Sequence, residues 1–404
     1  ATLATAQASV GHIPEKEAQL ISACCNLRFI DIDKLKADIK LGGNAAIPLV
    51  NQLTKIVKTN DFEASKYVHL GATSQDIIDT ATVLQFKEFI KWLKSSLQKL
   101  EKTLYTLTVA HRTTVMIGRT LLQQAKPITF GLKTAGWLQS IRNSIERLRD
   151  CEKRLLKVQL SGAVGSGNTH LSLPIRKKFA ELLDLSDSSS WQANRDNLNE
   201  FAAVIGILSG SLGKIAKDIS LMMQTEIGET LEGAAEGKGG SSTMPHKRNP
   251  VTCALITANS TRTPHLVSTL LSAMPQEHER SAGLWHAEWE SMNSLLQLTA
   301  GSLEKSIDLL TNLEVNKARM LENMELTKGL IYAENLSLAL AQKIGKVQAH
   351  ELVEKACKTA IKENLHLKEV AASLNSGLGS IDNYFQPENS IGNSIELIDE
   401  ILKK

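Results

Sequence analysis

Apolar residues in this chain recur at helical spacing over unusually long stretches. Phe86, Ile90, Leu93, Leu97, Leu100, Leu104 and Leu107 step alternately by four and three, the seam of a helix packed against other helices. No glycine or proline interrupts residues 72–117. A second run carries Leu138, Ile141, Ile145, Leu148 and Leu155 and ends near the glycines at 162, 165 and 167. A third extends from about Arg195 to Glu229, with Gly206, Gly210 and Gly213 on neighbouring turns. On an exposed helix each glycine costs about 1 kcal/mol against alanine, so this spacing predicts close approach by another helix. A fourth run starts at Pro250 and a fifth spans roughly Ala287 to Glu325, while period-two alternation is nearly absent. The pattern predicts an all-α protein built on a bundle of five long helices. Its seams leave more apolar surface than one small domain needs, so a helical oligomer is expected.

Composition narrows the class. A chain of 404 residues can bury a large core and divide into two or three domains. With net charge +3 and no basic run interleaved with aromatics, nucleic acid is not an expected partner. No continuous apolar segment approaches bilayer length and no secretory pattern opens the chain, so no membrane partner is expected either. Cys24, Cys25, Cys151, Cys253 and Cys357 show no C-x-x-C spacing, which fits reduced thiols in the cytoplasm. His278 and His286 do not form a helical i, i+4 pair, and Gly283 lies between them, so metal ligation is not expected. Asn375 to Asn393, rich in Gly, Ser and Asn, reads as surface loop, and Trp137 as core.

Three segments carry candidate chemistry. Gly240-Ser241-Ser242-Thr-Met-Pro-His-Lys247-Arg248-Asn249-Pro250 places two hydroxyls and two cations beside a helix start, after glycines at 233, 237 and 239. Asn249-Pro250 suits an N-cap and first turn, which would leave free N–H groups and the helix dipole facing a docked anion. A phosphate loop is ruled out, because Gly237-Lys238 is followed by glycine. The second segment, His69-Leu-Gly-Ala-Thr73-Ser74-Gln-Asp76, has capping-box character, and a helix start is also a carboxylate site. The third runs from Gly118 to Gly131 and includes Arg119, Thr120, Leu121, Gln123 and Gln124; it either binds carboxylates or shapes a bend around Pro127. Elsewhere, Arg195 reads as a carboxylate fork or as an Arg–Asp pair at a helix start.

Together these segments resemble the signature regions of the fumarase/aspartase superfamily. The resemblance implies a homotetramer in which five-helix domains of four subunits form one core and active sites are shared between subunits. It implies an N-terminal helical domain over 1–80, a central bundle over 81–328 and a small C-terminal helical domain over 329–404. It implies no metal or other cofactor, and relatives usually carry more sequence before the position of Ala1. Ser241 becomes the candidate catalytic serine, with Ser242 competing, and Lys247 and Asn249 its anion and oxyanion partners. His69, Thr73 and Ser74 face substrate, and Thr120 and Gln123 bond its carboxylates, with Arg195 assisting.

Superfamily lyases that break C–N bonds usually have a histidine directly after Arg-Thr, and here that position is Leu121. Leucine has no proton to give a departing amine. A carboxylate that adds or leaves is anionic near neutral pH, with a pKa of about 4, and needs no such acid. With Ala135–Leu138 and Leu284–Trp289, this substitution resembles the carboxymuconate-lactonising branch. That branch implies intramolecular carboxylate addition within a small tricarboxylate, with Ser241 or His69 moving the proton at carbon. An adenylosuccinate-type lyase and a catalytically silent superfamily member are the alternatives.

Overall fold

The computed structural model describes residues 1–234, 239–240, 244, 246–373 and 380–403. Among these, α1 (Thr2–Ser9), α2 (Glu15–Cys24), α3 (Ile32–Gly42), α4 (Ala46–Asn60) and α5 (Phe62–Ser65) precede the first long helix, α6 (Ser74–Ala110). A hairpin of β1 (Val115–Thr120) and β2 (Gln123–Thr129) leads into α7 (Phe130–Leu155). Next come α8 (Leu173–Leu183), α9 (Asp196–Met222), β3 (Thr230–Leu231), α10 (Val251–Ser272) and α11 (Leu284–Thr311). The chain continues through β4 (Glu314–Val315), α12 (Lys317–Met324), α13 (Ala333–Ile344), α14 (Lys346–Glu363), α15 (Leu367–Ser373) and α16 (Ser394–Lys403). The five long helices are thus α6, α7, α9, α10 and α11, and the fold is all-α as expected.

Two compact units divide the chain: Ala1–Ser95 with Ile145–Gly206 and Thr263–Gln297, and Ser96–Ser144 with Ile207–Arg262 and Leu298–Lys404. Each long helix contributes residues to both. In the first unit, Leu3 and Ala6 of α1 pack with Val158, Leu160, Ile175 and Phe179, and a neighbouring cluster joins Ile13, Ile21, Val57 and Ala64. In the second, Val115 and Ile117 of the hairpin pack with Tyr332, Leu336, Leu340, Val353, Leu367 and Phe385.

The heptad reading of α6 holds from Phe86 to Leu104, all essentially fully buried. It fails at Leu107, which is half-buried, while Thr108 takes the inward position and bonds Thr134 at 2.9 Å. A straight helix drifts from a 3.5-residue repeat by about 20° per heptad, which accounts for the shift. Two of the three α9 glycines answer the prediction of a close neighbour. A Cβ on Gly206 would lie 2.8 Å from Val267 Cγ2, and one on Gly213 only 2.3 Å from Ser260 Oγ, both on α10. Gly210 has no atom within 4 Å of such a Cβ.

Other expectations are corrected. The third run stops at Met222 and gives way to β3, which pairs with β4. The fifth is two helices, because the chain leaves α11 at Thr311 and Asn316 caps α12 by accepting from Arg319 N. The described part of the supposed surface loop, 380–393, forms two short 3₁₀ turns that bury Ile381 and Phe385 in the C-terminal cluster. Among the described residues one helix, α9, is long and apolar enough to cross a membrane, but 61% of its apolar window is buried inside the protein, as befits a core helix. Trp137 is buried as predicted, and its indole N–H donates to Asp218 at 3.0 Å.

Gly213→Ala should lower the midpoint of thermal unfolding, since overpacking of this kind costs about 1–3 kcal/mol. Gly210→Ala, with open space around it, should leave the midpoint unchanged or raised. An unchanged midpoint for Gly213→Ala as well would show that Ser260 yields without cost.

Candidate active site

In the first unit the turn before α6 gathers His69, Thr73 and Ser74. His69 adopts φ +60°, left-handed backbone that non-glycine residues enter at a cost of about 1–3 kcal/mol, often at functional sites. Its ring is half-buried, and burial lowers its pKa below the ordinary histidine value. Gly71 follows at φ +77°, where a Cβ would meet His170 Cβ at 2.6 Å. Asn168 donates to Gly71 O at 2.8 Å, and Gln7 donates to both Leu70 O and His170 O. Thr73 directly precedes α6, and Ser74 is its first residue.

Half of the predicted capping box is present. Asp76 accepts from Thr73 N at 3.0 Å, and the same carboxylate accepts from Ser161 N, Gly162 N and Gln159 Nε2. It is 1% exposed, and burial pushes its pKa up against these hydrogen bonds. The Thr73 hydroxyl accepts from Arg280 Nη2 at 2.8 Å. Arg280 also donates to Ala163 O, its Nε is buried without a partner, and it has no carboxylate partner among the described residues. A cation far along the chain gave no local signal that it would sit on Thr73.

Arg195 lies elsewhere in the same unit and is corrected. Its guanidinium is 2% exposed and saturated by two carboxylates: Nη1 to Asp79 at 2.6 Å, Nη2 to Glu288 at 2.6 Å and to Asp79 at 3.2 Å, and Nε to Glu288 at 2.9 Å. Trp285, Gln75 and Gln276 bond the same carboxylates, and the guanidinium stacks on Trp191. Burial raises the Glu288 pKa, with Arg195 opposing; burial also acts to lower the Arg195 pKa, but the paired carboxylates Asp79 and Glu288 hold it up. A cavity of about 130 Å³ beside it is lined by apolar residues such as Phe86, Leu198 and Met292 and by polar ones such as Thr82, Gln85 and Asn199. Neither a free fork for substrate nor the expected Arg195–Asp196 pair is present.

In the second unit, Thr120 and Gln123 face each other as the last pair of the hairpin. Leu121 and Leu122 form the tip at φ +48° and +65°, and Leu121 is 96% exposed. Ala125 and Lys126 stand opposite Gly118 as a bulge, and Arg119 forms a two-bond pair with the fully buried Glu229 at 2.7 and 2.8 Å. Lys247 is exposed and Asn249 half-buried. No hydrogen bond joins Lys247 or Asn249 to Thr120 or Gln123 among the described residues. Ser241 and Ser242 lie outside the described residues.

The expected open helix start is also corrected. Thr252 N and Cys253 N in the first turn of α10 donate to the buried carboxylate of Glu232, at 3.2 and 2.9 Å. Pro250 O accepts from Ala254 N, so Pro250 rather than Asn249 stands at the cap.

These elements define a fumarase/aspartase-type helical protein, with a Thr-Ser helix start, an Arg-Thr hairpin and a Lys-Arg-Asn-Pro helix entry. Residues 1–264 match the family described as Lyase, and 329–401 match the family described as Adenylosuccinate lyase C-terminus. The chain belongs to this lyase family. It is 44% identical over 412 residues to 3-carboxy-cis,cis-muconate cycloisomerase of Acinetobacter baylyi, covering 100% of this chain and 91% of that protein. With the enzyme of the same name from Pseudomonas aeruginosa it shares 47% identity over 373 residues, covering 92% and 81%. The crystal structure of 3-carboxy-cis,cis-muconate lactonizing enzyme from Pseudomonas putida superposes with a TM-score of 0.94 at 42% identity, over 100% of this chain and 92% of that one.

Arg195→Met would leave two buried carboxylates facing each other, and breaking such a pair costs about 3–5 kcal/mol. Thermal unfolding should register this loss. Normal stability combined with a raised KM would instead return Arg195 to substrate binding.

Proposed function

We propose that the protein is a 3-carboxy-cis,cis-muconate cycloisomerase, closing the tricarboxylate formed by protocatechuate ring cleavage to 4-carboxymuconolactone. The observation that carries this reading is Leu121. The position where C–N lyases of the superfamily usually keep an acid holds an apolar side chain at a hairpin tip, and the relatives that share so much of the sequence bear the cycloisomerase name. Thr73, Ser74, Gln123, Lys247 and Asn249, with Thr120 and Arg280 assisting, hold substrate carboxylates. One carboxylate oxygen forms a C–O bond to the conjugated double bond, helped by enforced proximity. The π pair moves to the carbon beside another carboxylate, where the developing charge needs electrostatic support, and a proton then joins that carbon.

Burial lowers the His69 pKa and so disfavours the imidazolium that would give that proton. We therefore assign the donor to Ser241, whose departing proton leaves an alkoxide that Lys247 stabilises. The same reading makes the protein a cytoplasmic homotetramer of three-domain subunits (1–80, 81–328, 329–404) with shared active sites. The exposed, left-handed Leu121–Leu122 tip supports a partner surface there.

Incubation with 3-carboxy-cis,cis-muconate should give lactone, and adenylosuccinate should be untouched. Turnover of adenylosuccinate alone would refute the cycloisomerase reading, and turnover of neither would favour a silent protein. Ser241→Ala should lower kcat by about 10²–10⁴. Lactonisation takes up a proton, so a His69 donor would act as imidazolium. In that case kcat/KM would fall as pH rises through a pKa below 6.5, and His69→Asn would remove the slope. We expect no such slope in the unmodified enzyme.

A further inference from the structure

The segment carrying Ser241 leaves β3 at Glu232 and returns at Asn249, and the described residues at its two ends are tied together. The Glu232 carboxylate, 4% exposed, receives Thr252 N and Cys253 N, which are first-turn donors of α10. Its carbonyl accepts from Arg248 Nη2, and Arg248 also makes two bonds to Glu314 of β4, at 2.8 and 3.1 Å. Asn249 N donates to Gly239 O at 2.8 Å. Gly239 sits at φ +69°, and a Cβ there would lie 2.8 Å from Asn249 O. Lys247 and Asn249 thus stand directly before a helix start whose anion is built in.

A helix N-terminus with two outward N–H groups is ordinarily ready to take a ligand anion. Here that place belongs to the protein's own carboxylate, and charge-assisted bonds of this kind are about twice as strong as neutral ones. We infer that Glu232 is a positioning residue for the lactonisation. By filling the α10 start it keeps substrate carboxylate off Thr252 and Cys253, and it fixes Lys247 and Asn249 where that carboxylate binds. The inference rests on the proposed function for the roles of Lys247 and Asn249, but the latch itself is independent of substrate.

The test uses the full chain with Glu232→Ala, Glu232→Gln and Glu232→Asp. Misplacement by about 1 Å can cost about 10²-fold, so Glu232→Ala should lose about that in kcat/KM, mostly through a raised KM. Glutamine presents an N–H donor to one of two N–H groups and should rescue poorly. Aspartate keeps the charge one methylene short and should recover about tenfold, and it guards against a variant that does not fold. Added formate should enter the space left in Glu232→Ala and restore part of the rate. Amide hydrogen exchange at Thr252 and Cys253, measured without substrate, should speed up in Glu232→Ala and slow again with formate. Unchanged exchange in Glu232→Ala would overturn the latch even if the chain proves to act on another substrate. Faster exchange with unchanged KM and kcat, or a rate loss that neither formate nor aspartate relieves, would overturn the positioning role.

Discussion

The carboxylate of Asp76 is the interaction on which the first unit's site depends. It stands inside the first turn of α6 and receives Thr73 N, Ser161 N, Gly162 N and Gln159 Nε2. A buried charge is tolerated only when hydrogen bonds replace its lost water, and these four donors oppose the burial that raises its pKa. The consequence is geometric. The start of a 37-residue helix is joined to the loop at 159–162, and Thr73 is left with its hydroxyl, rather than its amide, turned to Arg280. His69 can then be held in a left-handed conformation by the turn that Gln7, Gly71 and Asn168 complete.

The same economy of charge recurs. Glu232 satisfies the start of α10, Glu229 takes Arg119, and Asp79 with Glu288 takes Arg195. In these three places a cation or amide end that could have attracted a small carboxylate is answered internally. Among the candidate residues, Arg280 and Lys247 are the cations without a carboxylate partner among the described residues.

What was legible in the sequence was local. The α6 seam follows from residues three and four apart, and the Thr73–Asp76 cap from residues three apart, so both could be read directly. What failed was long-range. Arg195 finds its partners at positions 79 and 288, Glu232 its donors across the loop it opens, and Arg280 its contact at Thr73. No periodicity encodes such pairs. The hairpin was missed for a different reason. Two-residue turns with both residues at positive φ favour Asn-Gly, and Leu121-Leu122 carries none of that chemistry.

That mismatch bears on the reaction itself. Two leucines in left-handed backbone, facing solvent, are costly both in conformation and in exposure. Their place beside Thr120 and Gln123 puts that apolar tip where relatives that expel an amine keep a proton donor. A leucine there removes the acid and supplies hydrocarbon in its stead. For a carboxylate adding within its own molecule, loss of the acid is harmless, because the reacting oxygen is already charged. The proton is needed only at carbon, the step that the proposed function assigns to Ser241, and the described residues on either side of that segment are tied together by Glu232, Arg248 and Gly239.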